Sequence, residues 1–335
     1  MADIAKFAGV SISTVSRALN GHKSIPQATR DRILQIAREH KYQLNSQARN
    51  FRLQRTQTIA AVVPFGKHSH RQVSDPFYTE MLGAIIDELA EKDYGLLISR
   101  VRGYSESWYQ DFFQSKRYDG LIILAREQKD PRIAMLSGTG VPFVVWGAPL
   151  PGQEYVSVGY SGTLGIQKAV RHLVSLGRQK IGFIGGNEFL TDTSLRIGGY
   201  RKGLLEAEIP FDDRFVSYSD YTAESGCAAA VQLLKARPEL DSLIICSDLM
   251  AVSVINVLGS LGYRVPEDIA VVGYDDIYIA SYCKPKLTTL RQDIRKSAGL
   301  LVEKLYSIMN GQPTSGTTLQ EELIIRESSG AQPVK

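Results

Sequence analysis

From residue 59 onward the chain repeats one pattern: a short apolar run, a loop, then a longer amphipathic stretch. The apolar runs cover residues 59–63, 96–99, 121–124, 143–146, 181–185, 243–246 and 269–273. Helical periodicity falls between and after them, at 77–92, 162–176, 194–206, 223–235 and 249–261. A parallel pair of strands needs a long crossover, and a helix supplies one while covering the sheet. Strands alternating with helices therefore predict parallel sheets in doubly wound α/β units. About 275 residues is long for one such unit, so two similar halves are expected.

The 335 residues are 44% apolar and 22% charged, as in an ordinary globular protein. No apolar run reaches the roughly 18 residues of a membrane span, and the opening MADIAKFAG lacks the apolar segment of a signal peptide. A cytoplasmic protein with no membrane partner is expected. Cys227, Cys246 and Cys283 are odd in number and far apart, with no C-x-x-C pair. They read as buried thiols rather than a disulfide framework or zinc site.

Charge is unevenly spread. Residues 1–56 carry ten Lys and Arg against three Asp and Glu, a net +7 in a chain whose total is +4, which leaves −3 for the rest. A basic end on a mildly acidic body suits a polyanion-binding module joined to something else, or simply a solvated basic surface. Within this stretch, three short helices are predicted: residues 3–8 ending at Gly9, 12–19 capped by Ser11, and 26–40 with Pro26 in its first turn. Two helices joined by a tight Gly-containing turn, with a third in support, make a helix-turn-helix. With Ala5, Val15 and Leu19 inward, the second helix presents Ile12, Ser13, Ser16 and Arg17 outward at its N-terminal end. In this fold that end enters the DNA major groove. There Arg17 can donate twice to guanine, Ser13 can reach a base edge and Ile12 can touch a thymine methyl. The hydroxyls of Ser11, Thr14 and Ser16 suit phosphates.

The run D-I-A-x-x-A-G-V-S-x-S-T-V-S-R-A-L-N-G, spelled by residues 3–21, resembles the signature of the lac repressor family of bacterial transcription regulators. The resemblance extends over essentially the whole chain. It implies an all-α helix-turn-helix domain at 1–44, a hinge helix at 45–57, and a periplasmic-binding-protein-like α/β core at 58–335. That core would have two subdomains, about 58–157 with 288–320 and about 158–287 with 321–330, so that the chain crosses between them near residues 158, 288 and 320. The implied partners are near-palindromic operator DNA, a second copy of the chain in a homodimer, and a small-molecule effector in the cleft. Asn20, Asn45, Ala48 and Arg49 join the implied DNA contacts, and Phe51 stands where relatives place a leucine wedge in the minor groove. The family also implies a Thr or Ser cap on the first helix. The chain begins too late to supply it, so either the true start lies upstream or the helix forgoes about 1 kcal/mol. The last residues, ESSGAQPVK, carry no heptads for a tetramer-forming tail.

In open α/β sheets ligands sit beyond the carboxyl ends of the strands. Asp75 and Phe77 follow the first strand, Asp75 as helix cap or ligand contact and Phe77 as core or stacking surface. Arg196 lies in an R-x-x-G-aromatic element that the resemblance assigns to ligand hydroxyls or a carboxylate, with Asp192 just ahead of it. Tyr221, Ser247 and Asp275 match further pocket positions, while Asp248 and Asp276 read as loop ties. Arg126 and Trp146 also end strands. Gly147 and Ser161 depart from the polar or acidic residues of several relatives. Carboxylates, a guanidinium and aromatic faces suit a sugar, with a purine corepressor as the alternative.

Two other classes compete. No G-x-S-x-G, Walker loop, G-x-G-x-x-G or H-E-x-x-H is present, so no catalytic residue and no cofactor is expected. His68-Ser69-His70 lacks the further His or Cys of a metal site and reads as a solvated loop. A transport binding protein would share the core, but it would need a signal sequence and no basic helix-turn-helix.

Overall fold

A computed structural model describes residues 1–19, 22, 24–40, 55–65, 72–102, 117–126 and 130–331. Asn20, Asn45, Ala48, Arg49 and Phe51, most of the expected hinge, and His68 to His70 lie outside the described residues. The chain divides into two units, Met1–Thr56 and Gln57–Lys335.

Among the described residues, the first unit holds three helices: α1 (Ala2–Ala8), α2 (Ile12–Leu19) and α3 (Gln27–Glu39). Ile4, Ala5 and Ala8 meet Val15 and Ala18 of α2 and Ile33 of α3 in one small core. Burying each larger side chain there stabilises the unit by about 1.5–3 kcal/mol. Met1 gives α1 no side-chain cap, and the helix ends at Gly9 with φ 63, a left-handed conformation open to glycine at no steric cost. Ser11 opens α2 by accepting the Thr14 N–H on its Oγ at 3.1 Å. Pro26 stands at the cap of α3, one position ahead of the first turn expected for it.

Among its described residues, the second unit contains two six-stranded sheets. The first is built from β1 (Thr58–Phe65), β2 (Gly95–Arg102), β3 (Gly120–Ile123), β4 (Phe143–Trp146), β5 (Ser157–Tyr160) and the late strand β11 (Thr317–Leu319), in the order β11-β5-β4-β3-β1-β2. The second uses β6 (Ile181–Gly185), β7 (Val216–Tyr218), β8 (Ser242–Ile245), β9 (Ala270–Asp275), β10 (Thr288–Arg291) and β12 (Glu322–Ile324), in the order β12-β10-β9-β8-β6-β7. Each pairing is parallel except β10 with β12.

Strand β1 shows why these runs are apolar on both faces. Ile59, Ala61 and Val63 pack on α4 (Pro76–Ala90) and α10 (Ile294–Met309), while Ala60 and Val62 pack on the opposite side with Ile133 and Leu136 of α5 (Pro131–Ser137). A parallel strand covered by helices on both faces loses the polar alternation of a half-exposed one. The second sheet is enclosed in the same way by α6 (Thr163–Ser175), α7 (Thr191–Glu206), α8 (Ala223–Ala236) and α9 (Asp248–Ser260). Asp75, Thr222 and Asp293 cap α4, α8 and α10 through their side chains.

The chain passes between the sheets after β5 at 161–162, after β10 at 292–293, and between β11 and β12 at 320–321. The first two passages correct the expected positions near 158 and 288 by a few residues. Val158 pairs with Thr317 of β11, and Arg291 still pairs with Asp275 of β9, so both strands finish in their first sheet before crossing.

Gly199, the glycine of the R-x-x-G-aromatic element, lets α7 lie directly on α6. A Cβ there would fall against the Thr163 carbonyl oxygen and 2.8 Å from the Thr163 Cα, both backbone atoms that cannot rotate away. Gly199→Ala should therefore cost about 1–3 kcal/mol through overpacking, read as a lower urea midpoint.

Candidate functional site

On α2, Ser11, Ile12, Ser13 and Arg17 are exposed and Thr14 is half-buried. Ser11 Oγ lies 2.8 Å from both Ser13 Oγ and Thr14 Oγ1, which gathers three hydroxyls at the helix N-terminus. That end, with its free N–H groups, favours anions such as phosphates. Ser16 is a correction, since it is only 8% exposed rather than outward. Residues advance about 100° along a helix, so Ser16 falls about 60° past Leu19 on the packed seam, while Ser13 and Arg17 fall opposite.

A second site lies between the two sheets of the larger unit. Six of the expected residues line one cavity, open to solvent on one side, with about 400 Å³ of space between them and at its mouth: Phe77, Trp146, Asp192, Arg196, Tyr221 and Asp275. Phe77 and Trp146 come from the first sheet's side, with ring centroids 6.3 Å apart. Arg196 and Asp192 come from the first turns of α7, which starts at Thr191 rather than at 194, and Asp275 ends β9. Asp75 does not wall this cavity. It lines a wider opening of about 1190 Å³ with Asp220, Thr222 and Glu224, which shares Tyr221 with the cavity, and its Oδ1 also accepts the Phe77 N–H at 2.9 Å.

Arg126 and Ser247 are corrections. The Arg126 guanidinium donates to Gln153 Oε1 at 3.0 Å, to Tyr155 Oη at 2.8 Å and to the Ala148 carbonyl, so it ties down the loop after β4. Ser247 is buried at the N-cap of α9, where its carbonyl accepts the Ala251 N–H, and it is not part of the cavity wall. Sequence reasoning missed Gln292, which lines the cavity, and Tyr274, which lines a smaller adjoining pocket that shares Trp146, Asp192, Arg196 and Gln292 with it. Gln292 Nε2 donates to Asp275 Oδ1 at 2.7 Å. It follows the strand spelled TTLR beside the expected second crossing, and recognising that strand would have found it. Tyr274 directly precedes Asp275.

The electrostatics centre on Arg196. Its guanidinium lies 3.7 Å from the centroid of the Tyr274 ring and donates to the Cys246 carbonyl at 2.9 Å and to Tyr221 Oη at 3.5 Å. Its Nε is buried without a hydrogen-bond partner. Burial acts to lower its pKa, and the facing Tyr274, Tyr221, Cys246 and Asp275 outweigh that and raise it well above the ordinary value. Burial pushes the Cys246 thiol up to about 12, which keeps it protonated and poorly nucleophilic. Asp275 has φ 117 and Asp276 φ 58, two successive non-glycine residues in the left-handed half of backbone space. Asp276 is pinned there by Arg291 Nε at 2.7 Å and Arg326 Nη2 at 2.6 Å. Such strain persists where surrounding contacts over-determine it, commonly at ligand sites.

Residues 1–45 match the model for bacterial regulatory proteins of the lacI family, and residues 170–329 match that for periplasmic binding protein-like domains. The transcriptional regulator CelR of Thermobifida fusca is 33% identical over 334 residues, covering 97% of this chain and 96% of that protein. The chain belongs to the lacI family. Like its relatives, this lacI-family protein is a ligand-responsive, DNA-binding transcription regulator and not an enzyme. A solved CelR–cellobiose complex matches it with TM-score 0.74 and 31% identity over 97% of this chain and 98% of that one. The lac repressor dimer bound to operator and the anti-inducer ONPF matches with TM-score 0.86 and 26% identity over 98% of each. Among the described residues of the regulator, no helix is long and apolar enough to cross a membrane.

Asp248 underlies the site without lining it. Its Oδ1 accepts the Thr289 hydroxyl at 2.6 Å and its Oδ2 the Ile277 N–H at 3.0 Å, which ties β10 and the turn after β9 to the start of α9. Burial, then the charge of Asp275, raises its pKa well above 3.8 despite those two hydrogen bonds. The native protein thus keeps a proton that the unfolded chain releases above 3.8. This contribution to stability is complete below 3.8 and drains as pH rises toward the native value. Melting temperatures recorded across that rise should fall less steeply for Asp248→Asn than for the wild type.

Proposed function

We propose that a neutral sugar is the effector of this regulator, bound in the cavity between the sheets. The observation that carries the reading is the division of the cavity wall. Phe77, Trp146 and Tyr221 offer flat apolar faces, while Arg196, Asp192, Asp275 and Gln292 offer charge-assisted donors and acceptors. A pyranose presents both surfaces at once, with C–H groups on its faces and hydroxyls at its rim. Arg196 Nε is a buried donor in need of an acceptor, and leaving such a group unsatisfied costs about 1–3 kcal/mol. A sugar hydroxyl supplies that acceptor. Asp192 and Asp275 inside, with Asp75, Asp220 and Glu224 at the opening, oppose an anionic ligand. The solved complex of CelR with cellobiose supports the same ligand class.

The protein acts in the cytoplasm as a homodimeric repressor of carbohydrate uptake or catabolism genes. It places one α2 in the major groove at each half of a near-palindromic operator, with Ile12, Ser13 and Arg17 at base edges and Ser11 and Thr14 at phosphates. The sugar changes operator affinity because it prefers one arrangement of the two sheets over another. The site roles of Asp75, Phe77, Trp146, Asp192, Arg196, Tyr221 and Asp275 belong to this reading.

Two measurements test it. A melting-temperature screen with neutral sugars, uronic acids, sugar phosphates and nucleosides should single out a neutral sugar. Asp275→Asn should lose that shift while keeping the wild-type circular dichroism spectrum, and a shift confined to anionic ligands or nucleosides would reject the assignment. With an operator selected from random duplexes, Arg17→Ala should lose about 1–3 kcal/mol of discrimination at one base pair of each half-site. A uniform loss on all sequences would make Arg17 a phosphate contact instead.

A further inference from the structure

Glu321 lies at the third passage between the sheets and is 1% exposed. No motif in the sequence points to it. Its Oε1 accepts the Gly162 N–H at 2.7 Å and the Tyr274 hydroxyl at 2.6 Å, and its Oε2 lies 3.4 Å from Ser161 Oγ. Its own carbonyl accepts Lys168 Nζ at 2.6 Å. One carboxylate therefore joins the first passage, at 161–162, to the third, at 320–321. It also joins both to the tyrosine whose ring lies beneath Arg196.

The second passage is fastened in a parallel way. Tyr160 lines the smaller pocket that adjoins the cavity, as Tyr274 does, and its hydroxyl accepts the Asp293 N–H at 2.5 Å. Gly162 itself packs on α7, where a Cβ would be 3.3 Å from Leu195 Cβ and 3.4 Å from Arg196 Cγ. Two tyrosines thus line the pocket beside Arg196 and have their hydroxyls on the segments about which the sheets must turn if they move.

We infer that Glu321 is a positioning residue of the effector cavity: by holding the Tyr274 hydroxyl and the Gly162 amide on one oxygen, it locks the platform under Arg196 to the passages between the sheets. The placement of Arg196 and the angle between the sheets then change together. A ligand that draws on Arg196 acts on the passages through Tyr274, without a contact of its own to them. Allostery requires an element that both sites bias between two arrangements, and the passages held by Glu321 are that element in this inference.

The test needs neither sugar nor DNA, so it stands or falls separately from the effector assignment. The chain has two tryptophans. Replacing Trp108 with Phe leaves Trp146, in the cavity wall, as the only indole, and acrylamide quenching of its fluorescence then reports how open the cleft is. Against that parent, Tyr274→Phe and Glu321→Ala should each raise the quenching constant about twofold or more, and the double variant should do no more than either alone. Glu321→Gln keeps an acceptor at Oε1 and should return the parent value. Tyr274→Phe leaves the Gly162 bond in place, so a carboxylate that merely satisfied that amide would make this variant silent. A parent-like constant for Tyr274→Phe, or independent, additive effects of the two substitutions, would overturn the inference. Should Glu321→Ala not fold, Tyr274→Phe decides alone.

Discussion

The parallel running of the strands is the constraint on which the effector site depends. Because neighbours in both sheets point the same way, the edge strand β12 apart, the loops leaving their carboxyl ends collect along one edge, and backbone carbonyls and helix N-termini gather there with them. The cavity draws on that edge in both sheets. Trp146 ends β4, Cys246 follows β8, Asp275 ends β9, and Arg196 lies on the helix that follows β6. Side chains separated by more than a hundred positions meet because the topology delivers them to the same gap.

What happens in that gap is governed by low dielectric. Arg196 is buried on the face of Tyr274, with Asp275 nearby and Asp248 beneath. Charges removed from water at such a site must be paired and hydrogen-bonded, or shift their pKa. The protein uses both remedies. Arg196 stays charged on the Tyr274 ring, hydrogen-bonded to the Cys246 carbonyl and near Asp275, whereas Asp248 is pushed toward its protonated form. The strained turn at Asp275 and Asp276 belongs to the same economy, held by two arginines that reach in from β10 and from just beyond β12.

The DNA-binding unit follows a different logic. Its core is made of alanines and a few branched side chains, so its helices approach closely and α2 presents small hydroxyls and one arginine. A small core gives modest stability, and a reading helix gains from small side chains because its backbone can come near the DNA. The same crowding places Ser16 on the seam.

The sequence by itself determined the class of fold, the alternation of strands and helices, the DNA-reading helix with Arg17, and the family. These are local or periodic properties, carried by residues within a few positions of one another. It also marked six residues that share the cavity, because strand ends and the R-x-x-G-aromatic element are legible along the chain. It did not reveal that Arg126 would be consumed by the loop after β4, that Ser247 would stay outside the wall, or that α10 would pack against β1. Nor did it point to Gln292, Tyr274 and Glu321 as partners of Asp275, Arg196 and Gly162. Those facts depend on contacts between residues distant in sequence, and on which lone pair a buried donor finds. Periodicity tells a residue which face it occupies, and only the packed tertiary structure decides what meets it there.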